Sequence, residues 1–203
     1  MKRVIAYVDG FNLYFGLRSR GWKRYYWLNI QALAQDLLKP GQALILTKYF
    51  TARIAGPPDK EQRQSTFIEA LRTLGDFAIF YGKYQLNPRR CSQCGFEDEV
   101  PNEKMTDVNI AVEILKDAYQ NKFDVALLVS ADSDLVPPVK AVGELFPAKT
   151  VVVASPPGRY SASLVNSASS SFVIGRGKIA KSVFPEDLKK TDGYILRRPA
   201  LWK

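Results

Sequence analysis

Six short apolar runs, rich in β-branched and aromatic residues, alternate with segments of helical periodicity along the chain. The predicted strands are Val4–Val8, Leu44–Phe50, Phe77–Tyr81, Val125–Val129, Thr150–Ala154 and Phe172–Ile174. Near-continuous apolar strands are buried on both faces, and their alternation with helices is typical of a parallel sheet. The sequence therefore predicts an α/β fold with a mostly parallel central sheet and helices on both faces.

The helices between these strands are predicted from capping residues and from the spacing of apolar residues. Asn29 caps Ile30–Leu38, Asp59 caps a helix to about Leu74, Thr106 caps a helix to about Tyr119, and a fourth helix runs from Leu135 to about Phe146. The length of 203 residues suits one compact domain. We assign residues 1–188 to this domain and residues 189–203 to a basic and aromatic C-terminal tail.

The charge and residue composition restrict the chemistry. Lys and Arg number 29 against 20 Asp and Glu, a formal charge of +9, which favours a polyanionic partner such as nucleic acid over a merely soluble basic protein. Histidine is absent, which excludes Ser-His-Asp and Cys-His nucleophilic sites, His-ligated zinc and histidine acid–base catalysis. Any chemistry must use carboxylates, lysines, hydroxyls or a bound metal ion.

The sequence also bears on the compartment. The run Val4–Val8 is too short for a signal-peptide core, and no later run is long enough to span a bilayer. Two cysteines are too few for a disulfide-stapled secreted scaffold. We expect a cytoplasmic protein without membrane contact.

Acidic residues directly follow two of the predicted strands. Asp9 follows Val4–Val8, and Asp132 and Asp134 follow Val125–Val129. The carboxyl ends of parallel strands lie at one edge of the sheet, where open α/β sheets bind ligands. If the strand order reverses between these two strands, the three carboxylates meet at that point.

A fourth acid, Asp107, is expected at the same edge. It lies in the first turn of the helix that leads into Val125–Val129, and a right-handed crossover begins that helix at the carboxyl edge. The apolar stripe that Asp107 shares, at helical spacing, consists of Ile110, Ala111, Ile114 and Ala118. Because this stripe packs on the sheet, Asp107 is predicted to point toward the pocket.

Four carboxylates in one cleft repel each other unless a cation neutralises them. Hard oxygen ligands suit Mg²⁺ or Mn²⁺, which activate water and stabilise the departing oxygen in phosphodiester hydrolysis. An acidic cleft in a basic chain thus favours a metal-dependent nuclease. Each acid also has a structural interpretation: Asp9 as a turn residue, Asp107 as a first-turn acid, and Asp134 as the cap of the helix at Leu135.

Three segments resemble motifs of the NYN family of PIN-like ribonuclease domains, in the branch with LabA-like and DUF88 proteins. They are Tyr7–Leu13, Glu103–Val108 and Ser130–Leu135, and Ser182–Leu188 is a looser fourth match. The matches span nearly the whole chain in the expected order. The resemblance implies a PIN-like three-layer α/β/α sandwich with sheet order 3-2-1-4-5, and metal-dependent cleavage of RNA.

The resemblance also implies roles for single residues. The metal ligands and catalytic residues would be Asp9, Asp107, Asp132 and Asp134, holding Mg²⁺ or Mn²⁺. Asn12 and Ser130 would orient metal-bound water, a carboxylate or a phosphate, and Lys104 would contact a substrate phosphate. From the residues alone, Asn12 and Ser130 are equally well turn or capping residues, and Lys104 a surface charge.

The chain departs from the family pattern at two places. Ala131 stands where the family usually has Gly, and Ala168–Phe172 lacks the acid expected before its aromatic residue. The second departure concerns substrate handling more than catalysis.

Cys91 and Cys94 lie in a segment, residues 87–101, that is predicted to be an insertion or finger. They resemble one knuckle of a zinc ribbon, but a structural zinc needs about four ligands and this chain offers two thiolates and no histidine. Three options remain: a turn without zinc, a zinc shared between two copies in a homodimer, or a site completed by acids such as Glu97 and Asp98.

A basic and aromatic segment follows Asp9, and such segments bind phosphates through cations and unpaired bases through rings. The predicted RNA-binding residues are Arg18, Lys23, Arg24, Arg53 and Arg63. The alternative is a solvated loop whose aromatic residues lie in the core. The C-terminal tail is either frayed or a further contact to RNA.

Two other functions remain open. If the acids do not hold the metal correctly, the chain would be a catalytically inactive PIN-like module that binds RNA or a nucleotide. Asp132 and Asp134 alone also resemble the DxD of a sugar-nucleotide transferase, which leaves Asp9 and Asp107 unexplained.

Overall fold

The computed structural model describes residues 1–90 and 92–203, with the backbone alone at 86, 87 and 98–102. The strands are β1 (Lys2–Asp9), β2 (Gln42–Thr51), β3 (Phe77–Tyr81), β4 (Lys83–Arg90), β5 (Glu97–Lys104), β6 (Val125–Val129), β7 (Thr150–Ser155), β8 (Ser170–Val173), β9 (Asp187–Lys189) and β10 (Ile195–Arg197). The α-helices are α1 (Gly10–Ser19), α2 (Ile30–Asp36), α3 (Pro58–Leu71), α4 (Thr106–Tyr119), α5 (Val136–Leu145), α6 (Ala162–Ser167) and α7 (Arg176–Lys181). None of the described helices is both long and apolar enough to cross a membrane.

Six of these strands form the central sheet, in the order β3-β2-β1-β6-β7-β8. Every neighbouring pair is parallel. Without the separate β4–β5 hairpin, the order is the predicted 3-2-1-4-5 with a sixth strand at the edge, so the fold prediction is confirmed. The chain reverses its direction across the sheet between β1 and β6, which are hydrogen-bonded neighbours.

The sheet has a hydrophobic core on each face. Val4, Ala6 and Val8 of β1 pack with α1, α2, α3 and α7, while Ile5 and Tyr7 pack with α4, α5 and α6. This division follows from the alternation of side chains along a strand. Both faces are buried, which explains why the strands are continuous apolar runs in the sequence.

Two of the predicted helix starts differ from the structure. Asn29 does cap α2, accepting from the Ala32 N–H at 2.9 Å. The predicted cap Asp59 is wrong, because α3 starts at Pro58, a favoured first residue, and Asp59 instead pairs with Arg63 at 2.6 Å. Thr106 is likewise the first residue inside α4 rather than its cap.

Helix α1 was not among the predicted helices. Its sequence contains Gly10 and Gly16, which lower intrinsic helix propensity. The start of the helix is stabilised by Asp9, whose Oδ1 accepts from the Asn12 N–H at 2.9 Å. The sequence therefore contains the N-cap of α1, but Asp9 is interpreted there as a turn residue or a metal ligand.

The β4–β5 hairpin stands apart from the central sheet. Its strands are antiparallel, with Lys83 opposite Lys104 and Arg90 opposite Glu97. The predicted insertion, residues 87–101, falls within it. Cys94 is exposed, and Cys91 lies outside the described residues, so the zinc knuckle stays a prediction.

The C-terminal tail is packed against the domain and is not frayed. Strand β10 pairs with β9, and Leu196 is buried. The ring of Trp202 lies 5.8, 6.5 and 6.1 Å from those of Tyr26, Trp27 and Phe67. The tail thus covers part of one hydrophobic core, a role that neither sequence interpretation included.

Helix α4 is fixed to the sheet by a buried ionic network. Lys48 of β2 is only 4% exposed, and its Nζ donates to Glu113 Oε2 at 2.5 Å and to Asp117. Tyr7 Oη also donates to Asp117, at 2.7 Å. Both acids are buried beside the apolar stripe that the sequence predicted for this helix. The network therefore fixes α4 relative to β1 and β2, and with it the position of Asp107 in the first turn.

Replacement of Lys48 by Met is expected to destabilise the fold by about 3–5 kcal/mol, because two buried carboxylates lose their buried partner and retain only the half-exposed Lys116 and Lys122. Lys116→Met is the matched control, since Lys116 pairs with the same Glu113 but is half exposed; its cost should stay below about 1 kcal/mol. Urea unfolding measures both. Equal costs for the two variants would contradict the assigned network.

Candidate active site

A cavity of about 130 Å³ opens at the carboxyl edge of the sheet, where β1 and β6 meet. The residues that line it are Asp9, Phe11, Asn12, Phe15, Glu103, Asp107, Asp132 and Arg159. Three of the four predicted aspartates therefore share one cavity. They arrive from the end of β1, the first turn of α4 and the loop after β6, as the crossover topology requires.

Asp9 is the buried centre of this cavity. Its Oδ1 accepts from the Asn12 N–H at 2.9 Å, and its Oδ2 accepts from Ser130 Oγ at 3.0 Å. Burial, together with the smaller effect of the negative charges of Asp107 and Asp132, raises the pKa of Asp9 to about 7. The two hydrogen bonds favour the charged form but do not offset the burial.

Asp107 is also destabilised as an anion. Burial, together with the smaller effect of the charges of Asp132, Glu103 and Asp134, raises its pKa to about 6. Sequence reasoning gave Glu103 no role, although it lies inside the matched segment Glu103–Val108. Its Oε1 accepts from the Thr106 N–H at 3.1 Å and from the Thr106 hydroxyl, which holds the carboxylate against the start of α4.

Asp132 and Asp134 take different positions. Asp132 Oδ1 accepts from the Asp134 N–H at 3.0 Å and so caps the 3₁₀ turn Ser133–Leu135. Asp134 is exposed and does not line the cavity, although its charge raises the pKa of Asp107. It does not cap the following helix either, because α5 begins at Val136 without a side-chain cap.

Ser130 and Asn12 hold the carboxylates in place. Ser130 Oγ donates to Asp9 and accepts from the Asp132 N–H at 3.1 Å, so one hydroxyl links the two acidic segments. Asn12 Oδ1 accepts from the Ala131 N–H at 3.1 Å and joins α1 to the loop after β6. Both side chains are buried. These contacts position the backbone and side chains of the cavity wall.

Two glycines of α1 permit close approaches that shape the site. A Cβ on Gly10 would lie 2.5 Å from Tyr49 Oη and 2.7 Å from the Phe50 carbonyl oxygen. A Cβ on Gly16 would lie 2.8 Å from the Pro157 carbonyl oxygen. The second contact packs α1 on the loop after β7 and brings Arg159 to the cavity. Arg159 is not among the site residues predicted from the sequence, although Arg159 follows β7 and so lies at the carboxyl edge of the sheet.

The predicted RNA-binding residues lie outside the cavity wall. Arg18, Lys23, Arg24 and Arg53 are exposed, and Lys104 is exposed at the end of β5. Arg63 is engaged by Asp59. The neighbouring rings of Tyr25, Tyr26 and Trp27 are buried, so for these three residues the core interpretation is correct and the stacking interpretation is wrong.

The comparisons with known proteins identify the family. The NYN domain model matches residues 3–175, so the chain belongs to the NYN domain family, whose members have a PIN-like fold and are generally nucleases. A solved structure of a protein of unknown function from Vibrio parahaemolyticus has the same fold. Its TM-score is 0.57 at 21% identity, over 86% of this chain and 94% of that one.

A curated relative is named as a monooxygenase. The chain is 27% identical to 6-hydroxy-3-succinoylpyridine 3-monooxygenase HspA from Pseudomonas putida, over 69% of this chain and 55% of that protein. The chain thus spans about half the length of this relative.

Replacement of Gly10 by Ala is expected to destabilise the protein by about 1–3 kcal/mol, because the added methyl group meets Tyr49 and the backbone of Phe50. The matched control is Gly143→Ala in α5, where nothing lies within 4 Å of the added carbon. That control should gain up to about 1 kcal/mol from helix propensity. Thermal unfolding measures both, and a neutral Gly10→Ala would contradict the packing described.

The raised pKa of Asp9 predicts that stability falls with rising pH in metal-free buffer. Between the ordinary value of 3.8 and the folded value of about 7, the folded state binds more protons than the unfolded state. Titration of Asp9 should therefore lower the free energy of unfolding by about 2 kcal/mol from pH 5 to pH 7.5. The chain has no histidine, and Asp107, whose pKa is raised to about 6, adds a smaller decrease in the same window.

Asp9→Asn is the matching variant for this pH dependence, because it removes the titrating group and retains the shape of the side chain. Its free energy of unfolding should fall by only about 1 kcal/mol over the same range, because Asp107, with a pKa raised to about 6, still titrates there. Parallel pH profiles for the two proteins, measured by urea unfolding in EDTA, would show that Asp9 has an ordinary pKa.

Proposed function

We propose that this protein is a ribonuclease that hydrolyses phosphodiester bonds of RNA with Mg²⁺ or Mn²⁺. The observation that carries the proposal is the cavity at the β1–β6 reversal, where Asp9, Asp107 and Asp132 meet from three separate elements. In this proposal these three aspartates hold the metal, and Asp134 acts from the rim. Membership of a generally nucleolytic family supports the same reaction.

The donor set of the cavity suits a hard divalent cation. Its acidic side chains offer oxygen atoms, and burial together with the neighbouring carboxylates raises the pKa of Asp9 and of Asp107, so a bound cation would stabilise their charged forms. Among the described residues, no three acidic or thiol side chains form a ready-made metal shell. Mg²⁺ commonly binds through one or two carboxylates, water and substrate phosphates, so a partly open set of ligands fits this ion.

The bound cation would supply an activated water and stabilise the charge on the phosphate and the leaving oxygen. The protein's own residues prepare the site for this chemistry. Ser130 and the Asn12 N–H hold the Asp9 carboxylate in one orientation, and Asn12 fixes the loop that carries Asp132. Arg159 contributes a guanidinium at the cavity wall, where it can bind a phosphate oxygen. The overall charge of +9 attracts RNA to the surface.

Asp107→Asn is expected to reduce metal-dependent RNA cleavage on the order of 100-fold, because the cation loses a ligand. Asp187→Asn is the matched control: Asp187 is an exposed aspartate on β9, away from the cavity. Cleavage of a labelled RNA in Mg²⁺ and in Mn²⁺, each with and without EDTA, provides the measurement. The wild type and the control should cut, and EDTA should stop both.

Three outcomes are informative. Equal cleavage by wild type and Asp107→Asn would assign the activity to another site or a contaminant. Salt-sensitive RNA binding without cleavage in either metal would support the non-catalytic RNA-binding module. Absence of both binding and cleavage across varied RNAs would contradict both functions.

A further inference from the structure

Two exposed aromatic rings, each next to an arginine, lie on opposite sides of the carboxylate cavity. Phe15 of α1 is 38% exposed, and its ring centroid lies 5.6 Å from the guanidinium carbon of Arg159. Tyr81, at the end of β3, is also 38% exposed, and its ring lies 5.5 Å from the guanidinium carbon of Arg53. Neither ring is needed to close a hydrophobic core.

The order of the strands places the cavity between the two pairs. From one side to the other, the carboxyl ends are those of β3 with Tyr81, β2 followed by Arg53, β1 with Asp9, β6 followed by Asp132, and β7 followed by Arg159. Neighbouring strands are about 4.8 Å apart, so the edge from β3 to β7 spans roughly 19 Å. This length accommodates a few nucleotides.

Both rings are connected to the elements that carry the acids. Phe15 lines the cavity itself and lies on the helix that Asp9 caps. Tyr81 accepts through its carbonyl oxygen from Asn109 Nδ2 at 3.4 Å, two residues beyond Asp107. The next residue, Gly82, is so close to Glu103 that a Cβ there would lie 3.0 Å from its Oε1. The backbone that carries Tyr81 and the helix that carries Phe15 are therefore both fixed next to the segments that carry the acids.

An aromatic ring beside a guanidinium offers two kinds of contact to a nucleic acid strand. The ring stacks an unpaired base, and the guanidinium binds the adjacent phosphate. Bases within a double helix are stacked on each other and cannot lie on a protein ring. An edge with such a pair on each side of the acids therefore distinguishes single strands from duplexes.

We propose that Phe15 and Tyr81 are base-stacking residues that hold the nucleotides on the two sides of the phosphate at the carboxylate cavity. Arg159 and Arg53 bind the neighbouring phosphates. The site consequently requires unpaired bases on both sides of that phosphate. This inference rests on the proposed function for the nature of its ligand, but its test uses binding and does not require cleavage.

Binding is measured by fluorescence anisotropy with a labelled octauridine RNA in Mg²⁺, in the Asp107→Asn background so that the RNA stays intact. Phe15→Ala and Tyr81→Ala should each weaken binding by about 5- to 100-fold, the range for loss of one base–aromatic stack. Tyr119→Ala and Tyr194→Ala are matched controls, since these exposed tyrosines lie on other parts of the surface. They should change the affinity by less than about twofold.

Phe15→Leu and Tyr81→Leu keep an apolar side chain while removing the ring, and they should lose affinity as the alanine variants do. Circular dichroism and thermal unfolding establish that each variant is folded. A labelled GC-rich RNA duplex that is long enough to stay paired should bind weakly to all proteins, with no difference between the variants.

Abasic nucleotides locate the two stacks. A single abasic nucleotide placed in turn along the RNA should weaken binding at two positions, one on each side of the central phosphate. Phe15→Ala should be insensitive to the abasic change at one of these positions and Tyr81→Ala at the other, because each stack is then already lost.

Unchanged affinity in both ring variants, or an abasic penalty that neither variant removes, would overturn the inference. Equal weakening of single-stranded and duplex binding would do the same. Since all readouts are binding constants, failure of the wild type to cut RNA leaves this test intact. Conversely, cleavage by the wild type with unchanged binding of the ring variants would contradict the stacking role alone.

Discussion

The Asp9 carboxylate connects the three segments on which the site depends. It ends β1, caps α1 through the Asn12 N–H, and accepts from Ser130 at the end of β6. Because β1 and β6 are neighbouring parallel strands at the point where strand order reverses, their carboxyl ends form the two walls of one cavity. The same crossover rule brings the first turn of α4, with Asp107, to that edge. The buried Asp9 carboxylate thus caps α1 and also lines the cavity proposed to bind the metal.

Helix α4 carries three acids, which lie in two different electrostatic environments. Glu113 and Asp117, in its second half, both pair with the buried Lys48, and each pairs with one further lysine, Lys116 or Lys122. Asp107, in its first turn, faces Asp9 and Asp132, and among the described residues only Arg159 brings a positive side chain to the cavity wall. Glu113 and Asp117 are compensated within the protein and stabilise the packing of the helix. Asp107, together with Asp9 and Asp132, retains an excess of negative charge, which a divalent cation would neutralise.

The architecture could be predicted from the sequence because strands buried on both faces are continuous apolar runs. Asp9 and Asp132 follow two of those runs and Asp107 begins a crossover helix, so their convergence could be predicted once the family resemblance implied that β1 and β6 are neighbours. Glu103 and Arg159 were harder to find, since one arrives from a hairpin outside the main sheet and the other through the close contact at Gly16. Aromatic residues were also ambiguous. The rings of Tyr25, Tyr26 and Trp27 are buried in the core, whereas the exposed rings at the site are those of Phe15 and Tyr81. No local sequence pattern indicates which faces of α1 and β3 are exposed.

The proposed activity requires that acids distant in sequence share one divalent cation at the carboxyl edge of β1 and β6. A crystal soaked in Mn²⁺ and measured at the manganese absorption edge would locate this cation. We expect an anomalous peak in the cavity, bound directly by oxygen atoms of at least two of Asp9, Asp107 and Asp132. A cavity without manganese in a crystal that binds it elsewhere, or an empty cavity at saturating Mn²⁺, would contradict it.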